Sequence, residues 1–166
     1  MNNAVVRTDK MFGTDNRAGL VSVRFQPDDV MASIDNGNVV KLGDLETGSR
    51  EVYKGVNPAA TDDLKDIVLI ASPEVMHDSR NINLDEFTNG KGEIARGYHL
   101  HVNDIFSVTK EALIGLETPA VGNTVELADG TKLNVVADAT DGNTVVGKII
   151  DINVVGRYTY YVIQVA

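Results

Sequence analysis

The sequence predicts a mainly β fold: a single small β-barrel or β-sandwich-like body with an extended N-terminal arm and few or no helices. Valine is abundant and glycine is frequent, at 15 of 166 residues, as in chains of short strands joined by tight turns. Several apolar runs alternate with polar residues at a period of two, which suits a half-buried strand and not a helix face. Turn formers such as Asn36-Gly37, Asp129-Gly130 and Asp141-Gly142 separate those runs.

Residues 1–19 contain no turn-bounded strand pair of their own, so they read as an arm whose apolar parts, "AVV" and "MF", need a surface to lie on. The body spans 20–166. "LVSVRF" (Leu20 to Phe25) and "VVKLGD" after the turn at Asp35 to Asn38 alternate and read as consecutive strands. "DIVLIAS" (Asp66 to Ser72) is continuously apolar, as expected of a strand covered on both faces, and is the best core candidate. The segments 57–63 and 83–93 are rich in turn formers and read as surface loops; a short helix fits at 62–66 or 83–87, where a capping residue starts each. "NTVELADGTKLNVVA" predicts a hairpin with a type I′ turn at Asp129-Gly130. "TVVGKIIDINVV" and "RYTYYVIQV" pair around Val155-Gly156-Arg157, so 121–166 reads as a C-terminal meander.

Composition narrows the function classes. The chain is long enough to bury one core, and no apolar run approaches the roughly 20 residues of a bilayer span, so no membrane role is expected. The first residues lack the charged, apolar, small-residue order of a secretory signal. Cysteine is absent, which excludes disulfides and thiolate chemistry. A formal net charge of -9, with no Lys/Arg cluster, disfavours nucleic acid as a ligand; it also serves solubility.

Only "RGYHLHVNDIF" (Arg96 to Phe106) has a pattern suggestive of chemistry. His99 and His101 share a strand face, and a metal-dependent β-barrel enzyme would need a third ligand from His77, Asp104 or a distant carboxylate. The cupin spacing fails, because Gly97 is too close and Glu111 too far. Simple alternation explains the stretch instead, with Tyr98, Leu100 and Val102 inward and both histidines outward. Asp28-Asp29, Asp62-Asp63 and Asp85-Glu86 are adjacent pairs that do not converge on one bond and read as solvated loop charge. Asp35 to Asn38 lacks the spacing and terminal glutamate of a calcium loop. Neither Ser33 nor Ser72 sits in a nucleophile motif, and no phosphate-binding glycine pattern occurs. No enzymatic activity and no cofactor are expected. Met11-Phe12 and Tyr158 to Tyr161 instead put large side chains near the expected periphery, with Tyr158 and Tyr160 on one strand face and Tyr161 on the other.

Four blocks taken together carry a resemblance. "NAVVRTDKMFGTDNRAGLVSVRF", "DNGNVVKLGDLETGSREVY", "VLIASPEVMHDSRNINLDEFTNGKGEIARGYHLHVNDIFSVT" and "VGKIIDINVVGRYTYYVIQV" resemble, in the same order, the capsid decoration or head-stabilising proteins of tailed phages of Gram-positive hosts. Leu113 to Asn143 matches least. The resemblance implies a non-enzymatic virion protein, made in the host cytoplasm and bound in many copies to the outer capsid surface. Its partner would be the major capsid protein, with a monomer or a trimer at local three-fold positions equally compatible. The arm would supply the contact, through Val5, Val6, Arg7, Lys10, Met11 and Phe12. Another phage structural part, such as a head fibre, tail or baseplate component, is the nearest alternative; the 5% aromatic content without tryptophan disfavours a glycan-binding version of it.

Overall fold

The computed structural model describes residues 2–76 and 83–166. Twelve strands organise it: β1 (Val6–Lys10), β2 (Leu20–Phe25), β3 (Val39–Leu45), β4 (Val52–Val56), β5 (Ile67–Ile70), β6 (Ala95–His99), β7 (Ile105–Val108), β8 (Leu113–Gly115), β9 (Thr124–Glu126), β10 (Leu133–Val136), β11 (Val145–Val155) and β12 (Tyr158–Val165). The helical content among the described residues is one four-residue helix, α1 (Phe12–Asp15), and five 3-10 turns. Two of those turns, Leu64–Asp66 and Leu84–Glu86, fall where the sequence left room for a short helix, the second with a capping box between Asn83 and Glu86.

Strands β2, β4, β3, β5 and β6 close into a five-stranded barrel, and β1, β7, β12, β11, β9, β10 and β8 form a seven-stranded sheet. The fold is therefore mainly β with a closed barrel, as expected. Alternation along each barrel strand sorts its residues onto two faces. Val23, Val40, Val68, Ile70 and Ala95 fill the barrel interior. Val39, Ile67, Leu69 and Tyr98 point the other way and meet Phe106, Val108, Val125, Leu133, Ile149 and Ile163 of the sheet. Both faces of β5 are covered, so all four of its residues are buried. Each such aliphatic side chain contributes about 1.5–3 kcal/mol on leaving water. The barrel is narrow: a Cβ on Gly55 would sit 2.6 Å from Val23 Cγ1, and one on Gly97 3.0 Å from Val68 Cγ2.

Three expectations need correction. The arm expected at 1–19 is not free over its described residues, 2–19: β1 pairs antiparallel with β7, and Ala4, Val5, Val6 and Met11 are buried in the chain's own core. The stretch "AVV" and Met11 found their surface on their own sheet, while Phe12 stays 43% exposed. The strands at 20–25 and 39–45 are consecutive, as expected, and are joined in the barrel through β4, which pairs parallel with β2 and antiparallel with β3. The C-terminal strands are not a meander, since β9 lies between β10 and β11. The β9–β10 hairpin exists, but its strands stop at Glu126 and Leu133, and Asp129 is not in the left-handed region that a type I′ turn requires. Its connection is drawn to the barrel instead: Gly130 N donates to the Pro58 carbonyl, Ala60 N to the Asp129 carboxylate and Val39 N to the Thr131 carbonyl. The β11–β12 hairpin does turn at Gly156-Arg157, with Val155 opposite Tyr158 and Gly156 at φ 61.

Candidate functional site: a corner built on Asp104

The chain leaves β6 at His99 and reverses over His101 to Asp104 before starting β7. Asp104 N donates to the His101 carbonyl at 2.9 Å, and Asn103 sits at φ 70, a left-handed position that asparagine tolerates better than most residues. The Asp104 side chain is buried, and its carboxylate joins two segments far apart in sequence. Oδ2 accepts from His101 N at 2.9 Å within the turn, and Oδ1 accepts from Phe12 N at 2.8 Å, at the start of α1. Hydrogen bonds from Val165 N to the Asp104 carbonyl and from Asn103 N to the Val165 carbonyl fix the turn against β12. The two stretches singled out by sequence, "MF" and "HLH", thus meet at one carboxylate.

Their outward side is apolar and aromatic. The Phe12 ring tilts against the His101 ring with centroids 4.4 Å apart. Phe12 is 43% exposed and Val102, beside them, is 69% exposed. Tyr98 and Leu100 are buried as expected, but Val102 is not, because the strand has already ended and alternation no longer governs it. Nor do both histidines face out. His99 lies opposite Val68, on the barrel-interior side, and is half-buried. Burial, and then the neighbouring His101, push its pKa down. Among the described residues no group of three or more His, Cys, Asp or Glu is placed to hold a metal ion; His77, the third histidine, lies outside the described residues.

Of the residues expected to contact a capsid, Val5, at 1% exposed, Val6 and Met11 are core. Arg7 lies over the Tyr160 ring, 4.1 Å from its centroid, and donates to Ser107 Oγ. Lys10 and Phe12 remain exposed. Tyr158 and Tyr160 do share a face, with ring centroids 6.1 Å apart, but Tyr160 is buried under Arg7 instead of lying at the periphery.

Two buried carboxylates escaped the sequence reading. Asp85 is only 5% exposed, not solvated; it accepts from Arg157 Nη2 and from the Tyr158 hydroxyl, both at 2.9 Å, and its carbonyl accepts from Asn3 N. Glu126 is fully buried and accepts from Asn134, Asn143 and both the backbone and hydroxyl of Thr140. Burial alone would raise its pKa, but the bonds from Asn143, Thr140 and Asn134 outweigh it and hold the carboxyl below its usual range. Asp28 and Asp29 are exposed, as expected, while Asp62 is half-buried against Lys41 at 2.6 Å.

An open groove of about 1050 Å³ runs along the barrel flank, lined among others by Arg17, Ser22, Tyr53, Glu93, Arg96 and His99. No family model matches the sequence, and no curated protein or solved structure matches it significantly. The fold and the corner define the class of protein that can be stated: a mainly β protein in which a closed barrel backs onto a larger sheet.

Proposed function

We propose that the protein is a structural virion protein, a capsid decoration protein that binds the outer surface of a tailed-phage head and stabilises contacts between capsid subunits. One observation carries the reading. Two of the four blocks that resemble the decoration family, the N-terminal one and the one ending in "HLHVNDIFSVT", close on each other through Asp104. They leave Phe12, His101 and Val102 exposed together on a braced corner. Large side chains on rigid supports lose little conformational entropy when they dock, which favours contact surfaces of this kind. A net charge of -9 further suits the outside of a shell filled with nucleic acid. Modest contacts repeated over many copies add up by multivalency.

The contact assigned to the arm narrows accordingly to Lys10 and Phe12, with His101 and Val102 added. Deleting the N-terminal residues is not a clean test, because it removes β1 and four buried side chains. Phe12→Asp with Val102→Asp leaves the core intact. The double variant is expected to fold but to lose co-sedimentation with expanded heads of the phage whose genome encodes the protein; full retention of binding overturns the assignment of this corner. A capsid or scaffold gene beside this one supports the class. One zinc, iron or manganese per purified chain would instead favour the barrel enzyme on His99 and His101.

A further inference from the structure

The chain contains four Asx-Gly pairs: Asn36-Gly37, Asn89-Gly90, Asp129-Gly130 and Asp141-Gly142. In such pairs the glycine nitrogen can attack Cγ of the preceding side chain. The new C–N bond closes a five-membered succinimide, with loss of ammonia from asparagine or water from aspartate. Water then opens either ring carbonyl, giving aspartate or isoaspartate, and the latter carries the backbone through an extra methylene. The reaction needs an uncommitted glycine N–H and a side chain free to turn onto it.

Three of the pairs lack those conditions. Asn36 is buried, its amide bonded to the Ser72 backbone on both sides, and Gly37 N donates to the Ile70 carbonyl at 2.7 Å. Asn89 is buried with Nδ2 on the Ile34 carbonyl, and Gly90 N donates to Glu93 Oε2 at 2.7 Å. Asp129 accepts from Ala60 N, and Gly130 N is committed to Pro58. Asp141 differs: it is exposed, its carboxylate and Gly142 N have no hydrogen-bond partner among the described residues, and nothing would lie within 4 Å of a Cβ on Gly142.

We propose that Asp141-Gly142 is the spontaneous isomerisation site of this protein, and that isoaspartate there disrupts the hydrogen bonds around the buried Glu126 carboxylate. The coupling is built into the turn. Thr140 and Asn143 flank the reactive pair and supply three of the bonds Glu126 accepts, and they are joined to each other by Asn143 N on the Thr140 carbonyl. An extra methylene between them changes their spacing and leaves Asn134 as the donor least affected.

The test ages the full-length protein at neutral pH and physiological temperature, native and in guanidinium, with peptide mapping and isoaspartyl-methyltransferase labelling. Native protein is expected to accumulate isoaspartate at 141, while Asn36 and Asn89 deamidate about tenfold or more slowly than in the unfolded chain, as reactions gated by opening do. The separated isoaspartate form should melt lower and exchange amide hydrogens faster at 124–126 and 140–145. Asp141→Glu, which closes a six-membered ring far more slowly, should age without that loss. Native deamidation at Asn36 or Asn89 outpacing position 141 overturns the site. An isoaspartate form with unchanged melting and exchange overturns the coupling to Glu126.

Discussion

Glu126→Gln tests whether the buried carboxylate holds the far end of the sheet. Oε1 receives three donors, Asn134 Nδ2, Asn143 Nδ2 and Thr140 Oγ1, and Oε2 receives Thr140 N. Glutamine keeps the shape, but places its NH2 against at least one of these donors. With its oxygen at the Oε1 position, Thr140 N is left facing another donor in a dry site, which costs about 1–3 kcal/mol. The three remaining bonds fall from charge-assisted to neutral, each losing on the order of 1 kcal/mol. The sum is about 4–6 kcal/mol, or a Tm lower by roughly 10–20 °C for a chain of this size. Denaturant titration across pH measures it. Because the folded pKa of Glu126 lies below the unfolded one, the wild-type contribution is fully present above the ordinary carboxylate range and is lost as pH falls through the folded value. The variant should lack that part of the acid loss. A penalty under about 1 kcal/mol, with an unchanged acid limb, would refute the reasoning.

Other perturbations probe other parts. Gly55→Ala puts a methyl 2.6 Å from Val23 Cγ1 and 3.3 Å from Val40 Cγ2, so the barrel should lose about 1–3 kcal/mol by denaturation; a neutral result would show the interior is looser than described. Asp85→Asn weakens the hydrogen bonds from Arg157 and Tyr158, and hydrogen exchange should rise at 2–6 and 153–160 while β5 stays protected. His99 has a folded pKa below its unfolded value. Its contribution is therefore complete above the unfolded pKa and declines as pH falls toward the folded one, since the unfolded chain binds the proton first; His99→Gln should flatten stability over that mildly acidic range. Phe12→Ala should cost less than a core truncation because the residue is 43% exposed, whereas deletion of residues 2–11 should prevent folding, as circular dichroism would report.

Local pattern made some elements legible and left others hidden. The fully apolar Ile67–Ile70 run and the β11–β12 hairpin follow from composition and from one Gly turn. Barrel closure does not, because it depends on β2 pairing parallel with β4, a contact that no alternation encodes. β1 looked like an arm because its partner, β7, is about a hundred residues away: Val6 lies opposite Val108. The carboxylates failed for the same reason. Asp85 finds Arg157, and Asp104 finds Phe12, across long sequence separations. Glu126 sits on the face of its strand opposite Val125, where alternation predicts water, and only the folding of 140–143 over it makes that face dry. At the corner, "HLH" and "MF" were each conspicuous, but nothing in either stretch indicated that they touch.

The most direct measurement is quantitative co-sedimentation with expanded heads made from the major capsid protein of the same phage, using the wild-type protein and the folded Phe12→Asp, Val102→Asp double variant. Saturable, stoichiometric binding by the wild type, with loss of it in the double variant at unchanged circular dichroism, is the expected result. Wild-type protein that stays in the supernatant at every concentration would contradict it.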